Sequence, residues 1–229
     1  MTRIFITGDT HGDYDWHKLS TKYFPEQKEL TKDDYVIITG DFGGVWGQDK
    51  TDRYIIKTYE QRNFTTLFVD GNHENHDALD RYPVEEWKGG KIHRISDTVI
   101  HLMRGQVYEI GGKTFFTMGG AQSSDKMYRK EGISWWAREL PSDEEYAEAI
   151  RTLKKHDFKV NYIVTHCFAE NYAFQMQMAF SRKFNGLTGF LSSLITEYNI
   201  SYDGWYFGHY HEDTDWGDFH CLYQRVIEI

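Results

Sequence analysis

Five short runs of strand-forming residues each stop at Gly or Thr beside an Asp, Asn or His, and this repeated junction constrains the fold more than any other feature. Arg3–Thr7 leads into Gly8-Asp9, Tyr35–Thr39 into Gly40-Asp41, and Leu67–Val69 into Gly71-Asn72. Further on, Tyr162–Val164 leads into Thr165-His166 and Trp205–Phe207 into Gly208-His209. Runs of this length, rich in Ile, Val, Phe and Tyr and bounded by Gly, read as buried strands. Helical patterns lie between them. Thr51–Phe64 mixes apolar and charged residues. Ser142–Lys155 opens on Ser142 with Glu145 three residues on, the spacing of a capping box. Gly186–Tyr198 sets Leu187, Phe190, Leu191, Leu194 and Ile195 on one face. The middle reads as strands at Thr98–Leu102, Gln106–Ile110 and Thr114–Met118, with Gly111-Gly112 as a hairpin turn. Strand–helix units flanking a hairpin region predict a mixed α/β (α+β) fold, with sheets covered by helices. At 229 residues the chain is read as one domain spanning 1–229.

The junctions collect unusual chemistry. They read Asp9-Thr10-His11, Gly40-Asp41, Gly71-Asn72-His73-Glu74, Thr165-His166 and Gly208-His209-Tyr210-His211. Alone, an Asp at a strand end is usually a turn former, and a lone His is more often a hydrogen-bonded core or surface residue than a ligand. The conjunction changes that reading. In α/β architectures ligands bind beyond the C-terminal ends of strands, where Gly allows close backbone approach. In His209-x-His211 alternate residues of an extended segment share a face. Imidazole nitrogens mixed with carboxylate and amide oxygens, without thiolate, suit Mn²⁺, Fe, Zn²⁺ or Ni²⁺ rather than Ca²⁺. Two such ions about 3.5–4 Å apart need a bridging ligand, which an aspartate can supply. His17, His76, His93, His101, His156 and His220 lack this context and are read as ordinary residues.

In order and composition, Asp9-x-His11, Gly40-Asp41, Gly71-Asn72-His73-Glu74, Thr165-His166 and Gly208-His209-x-His211 resemble the motif series of calcineurin-like metallophosphoesterases. The resemblance covers Asp9 to His211. It implies two packed mixed β-sheets flanked by helices, a four-layer αββα sandwich. It also implies two divalent transition-metal ions, Mn²⁺ foremost: one held by Asp9, His11 and His211, the other by Asn72, His166 and His209, with Asp41 bridging. His73 would contact the substrate phosphate beside Asn72 and protonate the leaving oxygen. The implied reaction is hydrolysis of a phosphate mono- or diester by a hydroxide bridging the two ions. One departure stands out. Branches of the family carry Gly-Asp-x-x-Asp-Arg-Gly, whereas this chain has Gly40-Asp41-Phe42-Gly43-Gly44-Val45-Trp46. The Asp that would orient His73 and the adjacent phosphate-binding Arg are both missing. Glu74 and Asp70 are candidates to orient His73 instead, and Arg129 or Lys126 to replace the cation.

Lys126 and Arg129 lie in Ala121–Leu140, which follows neither helical nor strand periodicity and reads as a substrate-specificity loop or as a solvated loop with buried Trp135 and Trp136. The net charge of −9 disfavours a nucleic-acid strand or an anionic membrane as partner and points to a small-molecule or nucleotide-like ester. A catalytically silent metal-binding regulator and a nuclease with the same site are the alternative readings. Cys167 and Cys221 give no disulfide framework, the first apolar run is too short for a signal peptide, and no run approaches a membrane span, so the expectation is a cytoplasmic protein.

Overall fold

In the computed structural model, which describes residues 2–177 and 185–229, the central strands alternate their side chains between different apolar cores. In β1 (Ile4–Thr7), Ile4 and Ile6 join one core and Phe5 another. That period of two is the geometry of a strand buried on both faces. The strands that follow are β2 (Tyr35–Ile38), β3 (Thr65–Phe68), β4 (Val84–Trp87), β5 (Gly90–Ser96), β6 (Val99–Leu102), β7 (Gln106–Ile110) and β8 (Lys113–Met118). After them come β9 (Tyr162–Thr165), β10 (Gly204–Phe207), β11 (Thr214–Trp216), β12 (Phe219–Cys221) and β13 (Val226–Glu228).

Among the described residues these strands form a seven-stranded sheet in the order β13-β1-β2-β3-β6-β5-β4 and a six-stranded sheet in the order β11-β12-β10-β9-β8-β7. In the first, β1, β2, β3 and β6 run parallel while β13, β5 and β4 pair antiparallel with their neighbours. In the second, β8, β9, β10 and β12 are parallel, and β7 and β11 are antiparallel. Both sheets are therefore mixed.

The helices are α1 (Lys50–Glu60), α2 (His76–Leu79), α3 (Asp143–Lys155), α4 (Glu170–Gln175) and α5 (Gly186–Thr196). Ile37, Leu67, Ile100, Phe115, Val164 and Tyr206 fill the core between the two sheets. Val36, Ile38 and Phe68 turn to the outer face of the first sheet against Ile55 and Tyr59 of α1. Phe116, Ile163 and Phe207 turn to the outer face of the second, against Leu153 of α3 and Leu191 of α5. Each sheet thus buries both faces, one on the other sheet and one under helices, and the four layers are helix, sheet, sheet, helix.

Local chemistry sets the element ends. The capping box at α3 is formed: Ser142 Oγ accepts from the Glu145 N–H and Glu145 Oε2 accepts from the Ser142 N–H. α1 starts where the Asp49 carboxylate accepts from the Thr51 and Asp52 N–H groups. It stops at Glu60, short of the predicted Phe64, because the chain must turn there to bury Phe64 and start β3 at Thr65. β4 and β5 were not expected: β4 is an edge strand with exposed residues, and the charged and polar residues of β5 hide its pattern. No helix among the described residues is long and apolar enough to cross a membrane.

Trp205 is fully buried in β10, and its indole N–H donates to Thr165 Oγ1 at 2.9 Å beside the Phe168 ring. Removing the indole leaves a cavity and takes one donor from the Thr165 hydroxyl, which keeps its own bond to the Cys167 carbonyl. Trp205→Ala is expected to lower unfolding free energy by about 3–5 kcal/mol, measured by urea denaturation.

Candidate metal centre

The C-terminal ends of β1, β2 and β3 from one sheet and of β9 and β10 from the other bring the five junctions together. Gly supplies the room. A Cβ at Gly40 (φ +108°) would lie 2.2 Å from His166 Nδ1, and one at Gly208 would lie 2.1 Å from Asp9 Oδ1. The backbone at the site is also held in an unusual state. His11 (φ +42°), Asp41 (+48°), His209 (+69°) and His211 (+55°) all occupy the left-handed region. For residues with a Cβ this costs about 1–2 kcal/mol each, and such strain persists where surrounding structure enforces it.

Asp41 stands at the middle. Its Oδ2 lies 3.3 Å from His11 Nε2 and 3.4 Å from His166 Nε2, while its Oδ1 accepts the His73 N–H at 2.7 Å. On one side, Asp9, His11 and His211 present donor atoms within 4.8 Å of one another, with His211 Nε2 at 3.2 Å from Asp9 Oδ2. On the other, Asn72 Oδ1 lies 3.2 Å from His166 Nε2. The His209 ring packs on the His166 ring with centroids 5.1 Å apart, and the backbone N–H of His209 donates to Asp9 Oδ1 at 3.1 Å. Asp41, Asn72, His73, Arg129, His209 and His211 line a shared cavity of about 120 Å³. The structure thus gathers all seven sequence-predicted ligand candidates and His73 at one place.

The donor set fits cations. The outer nitrogens of two imidazoles are already committed: His166 Nδ1 donates to the Thr39 carbonyl at 2.8 Å, and His11 Nδ1 faces Asp15 Oδ2 at 2.7 Å. Those partners turn each Nε2 inward, at carboxylate and amide oxygens that are themselves only acceptors. Two acceptors face to face require a cation between them, either protons or metal ions. Burial alone would lower His166, but Asp41 and Asp9 outweigh it and raise its pKa to about 10. Burial likewise opposes His11, and the bond to Asp41 raises it to about 9. Asp41 itself is held well below the carboxylate range, burial being overcome by His166 and His11. His209, pushed down to about 3 by burial and by His166, is a neutral nitrogen donor.

Several supporting residues carry no sequence signal. Buried Lys18 donates Nζ to the carbonyls of Asp9 (2.6 Å), Gly8 and Tyr223, pinning the first junction. Tyr223 stacks on His211 at 4.7 Å and donates its hydroxyl to Asp15. Asp15, four residues after His11, was likewise not singled out in the sequence; that spacing is the one local signal that could have found it. Glu74 and Asp70 do not take the expected role beside His73. Glu74 accepts the Phe42 N–H at 2.6 Å and braces the turn after Asp41. Asp70 pairs with the buried Arg104, whose Nε donates at 2.9 Å, and with His101 at 3.2 Å. His76, His93 and His101 thus belong to a buried polar network outside the centre.

The partner of His73 is Arg129, whose Nη1 and Nη2 lie 3.3 and 3.2 Å from the two ring nitrogens. Asp125 Oδ2 holds that guanidinium at 2.8 Å. Lys126 pairs instead with buried Glu139 at 2.5 Å and lies over Trp135. Residues 121–140 form a loop with two 3₁₀ turns, in which Trp136 is buried and Trp135 half-buried. The loop is tied to the ligand side, since Ser123 Oγ accepts from Asn72 Nδ2 at 3.2 Å.

The sequence profile of the family described as calcineurin-like phosphoesterase matches residues 2–213. No curated protein matches the chain. Proteins of that family usually bind divalent metal ions, and the Asp and His groups here are able to hold them.

Chelator-treated protein should reveal the two trapped protons. Groups whose folded pKa is raised stabilise fully below the unfolded value, near 6.5 for His, and that stability is lost as pH rises. His166 and His11 therefore make the metal-free fold weaken between pH 6.5 and 8, by up to about 1.4 kcal/mol per pH unit for each imidazole. Above pH 8, Lys18, lowered by burial to about 8, begins to act in the opposite direction. Thermal melts should fall across pH 6.5–8 without metal and flatten with Mn²⁺; a flat metal-free profile would contradict the assignment.

Proposed function

The chain belongs to the calcineurin-like phosphoesterase family, and from that premise we propose that it hydrolyses a phosphate mono- or diester of a small molecule with two divalent transition-metal ions, Mn²⁺ foremost. The observation that carries this reading is Asp41 Oδ2 set between His11 Nε2 and His166 Nε2 at 3.3 and 3.4 Å. Asp9, His11 and His211 would hold one ion, Asn72, His166 and His209 the other, and Asp41 both. Bound there, such ions would lower the pKa of water and neutralise charge at phosphorus during in-line displacement.

The chain's own residues do the rest. The Thr39 carbonyl and Asp15 fix which imidazole nitrogen faces the centre. Arg129 is placed to donate to phosphate oxygens through its planar fork. Burial, opposed by Asp41 and reinforced by Arg129, lowers the pKa of His73. A phosphate anion arriving between His73 and Arg129 favours the protonated ring, which can then give its proton to the leaving oxygen. Asn72 Oδ1 lies beside His166 Nε2, where it would help hold an ion, while its Nδ2 donates to Ser123 Oγ.

The complete donor set and the Arg129–His73 pair favour turnover over a silent metal-binding regulator. Arg129 is the one arginine among the described residues lining the 120 Å³ cavity, which favours a small ester over a nuclease's polyanionic strand. We read the chain as a single domain and as cytoplasmic, in keeping with the free, buried Cys167 and Cys221.

Purified protein with Mn²⁺ should hydrolyse nitrophenyl phosphate or bis(nitrophenyl) phosphate. Asp41→Asn should lower kcat/KM on the order of a thousandfold. His73→Asn should lose about a hundredfold more on alkyl phosphates than on nitrophenyl phosphates, because nitrophenolate leaves without a proton. Equal losses on both would remove the acid role from His73, and full activity of Asp41→Asn under chelation would overturn the proposal.

A further inference from the structure

A cleft of about 650 Å³ opens directly at His11 and His73, between the turn after β1 and the start of α1. Trp46, Tyr14 and Ile55 supply apolar surface, and Asp13, Asp49 and Asp52 stand among them. Among the described residues, no lysine or arginine lines it. The size suits a ring with substituents.

Trp46 is fixed before anything binds. Its N–H donates to Asp52 Oδ2 at 2.7 Å, its carbonyl accepts from Asn75 Nδ2 at 2.6 Å, and its indole meets the Trp136 ring edge-on at 5.3 Å. It also stands in the sequence stretch where Asp-Arg-Gly would complete the family motif. Here Gly44 packs against the Phe42 ring, Val45 turns into the core beneath α1, and Trp46 lines the cleft. The cation is on the other side, on Arg129. The two sides of His73 therefore differ in kind: a guanidinium beside the 120 Å³ cavity, and an indole with carboxylates beside the larger cleft.

We infer that this cleft seats the organic part of the phosphate ester, and that this part is a ring-sized apolar group without negative charge, stacked on Trp46. The inference rests on the phosphoesterase reading and names its substrate class. A flat ring gains contact with the indole and with Ile55. A carboxylate or second phosphate on that ring would face Asp13, Asp49 and Asp52, with no lysine or arginine among the described lining residues to offset them.

Calorimetry with phosphonates, which cannot be hydrolysed as esters, tests binding apart from turnover. With Mn²⁺-loaded protein, phenylphosphonate should bind roughly tenfold tighter than methylphosphonate, and 4-carboxyphenylphosphonate should lose most of that gain. Trp46→Ala should erase the ring's advantage while methylphosphonate affinity stays within about twofold. Thr51→Lys, at an exposed cleft position in the first turn of α1, should restore the carboxylated ligand without refolding the site. Methylphosphonate binding with no advantage for the ring, or equal binding of the carboxylated ring, would overturn this inference alone. Failure of all three phosphonates to bind, together with no ester turnover, would overturn the phosphoesterase reading and this inference with it.

Discussion

Asp41 Oδ2 lies within 3.4 Å of two inward-facing imidazole nitrogens, and the rest of the centre is arranged around that convergence. Asp9 and Asp41 are both buried, and both are held ionised against the effect of burial. An unpaired buried carboxylate is expensive, so the site must contain positive charge. Without metal, that charge is two protons on His11 and His166. With metal, the same geometry offers nitrogen and oxygen donors from opposite sides. The outward hydrogen bonds to Thr39 and Asp15 ensure that neither ring can turn away.

Holding the donors there strains the backbone, and the scaffold answers with anchors at the base of each junction. Four residues at left-handed φ sit just beyond parallel strands, where neighbouring strands and Lys18 fix the carbonyls. Asp70, directly before Gly71-Asn72, is tied to Arg104, and Arg104 also donates to the Arg138 carbonyl at 2.8 Å. Arg104 thereby joins the strand end carrying Asn72 and His73 to the loop carrying Arg129. Asn72, His73 and Arg129 accordingly share one buried support.

How much of this could be read in the sequence depended on how local the cause was. β1, β2, β9 and β10 were legible because each is a short apolar run closed by Gly or Thr, and α3 because Ser142 and Glu145 cap it within four residues. β4, β5 and the C-terminal strands were missed; polar and charged residues mask their alternation, and β13 pairs with β1 at the other end of the chain. The metal-facing residues were legible as a conjunction of strand ends, although Asp15, Lys18, Arg104 and Tyr223 were not. A lysine buried against three carbonyls looks like any surface lysine until the fold closes over it. Arg129 was a guess from loop position, and it acquired a partner only when the loop 121–140 folded back onto His73.

The departure after Gly40-Asp41 separates metal chemistry from substrate choice. The absence of Asp and Arg there leaves Asp41 and its imidazoles in place; the guanidinium beside His73 is that of Arg129, while Val45 turns to the core and Trp46 lines the other side. The central claim is that the buried carboxylates exist to hold two ions through Asp41. Metal content after equilibrium dialysis against Mn²⁺ tests it most directly. About two ions per chain are expected for the natural sequence, with no more than one for Asp41→Asn. Retention of none by the natural sequence, or of two by the variant, would contradict it.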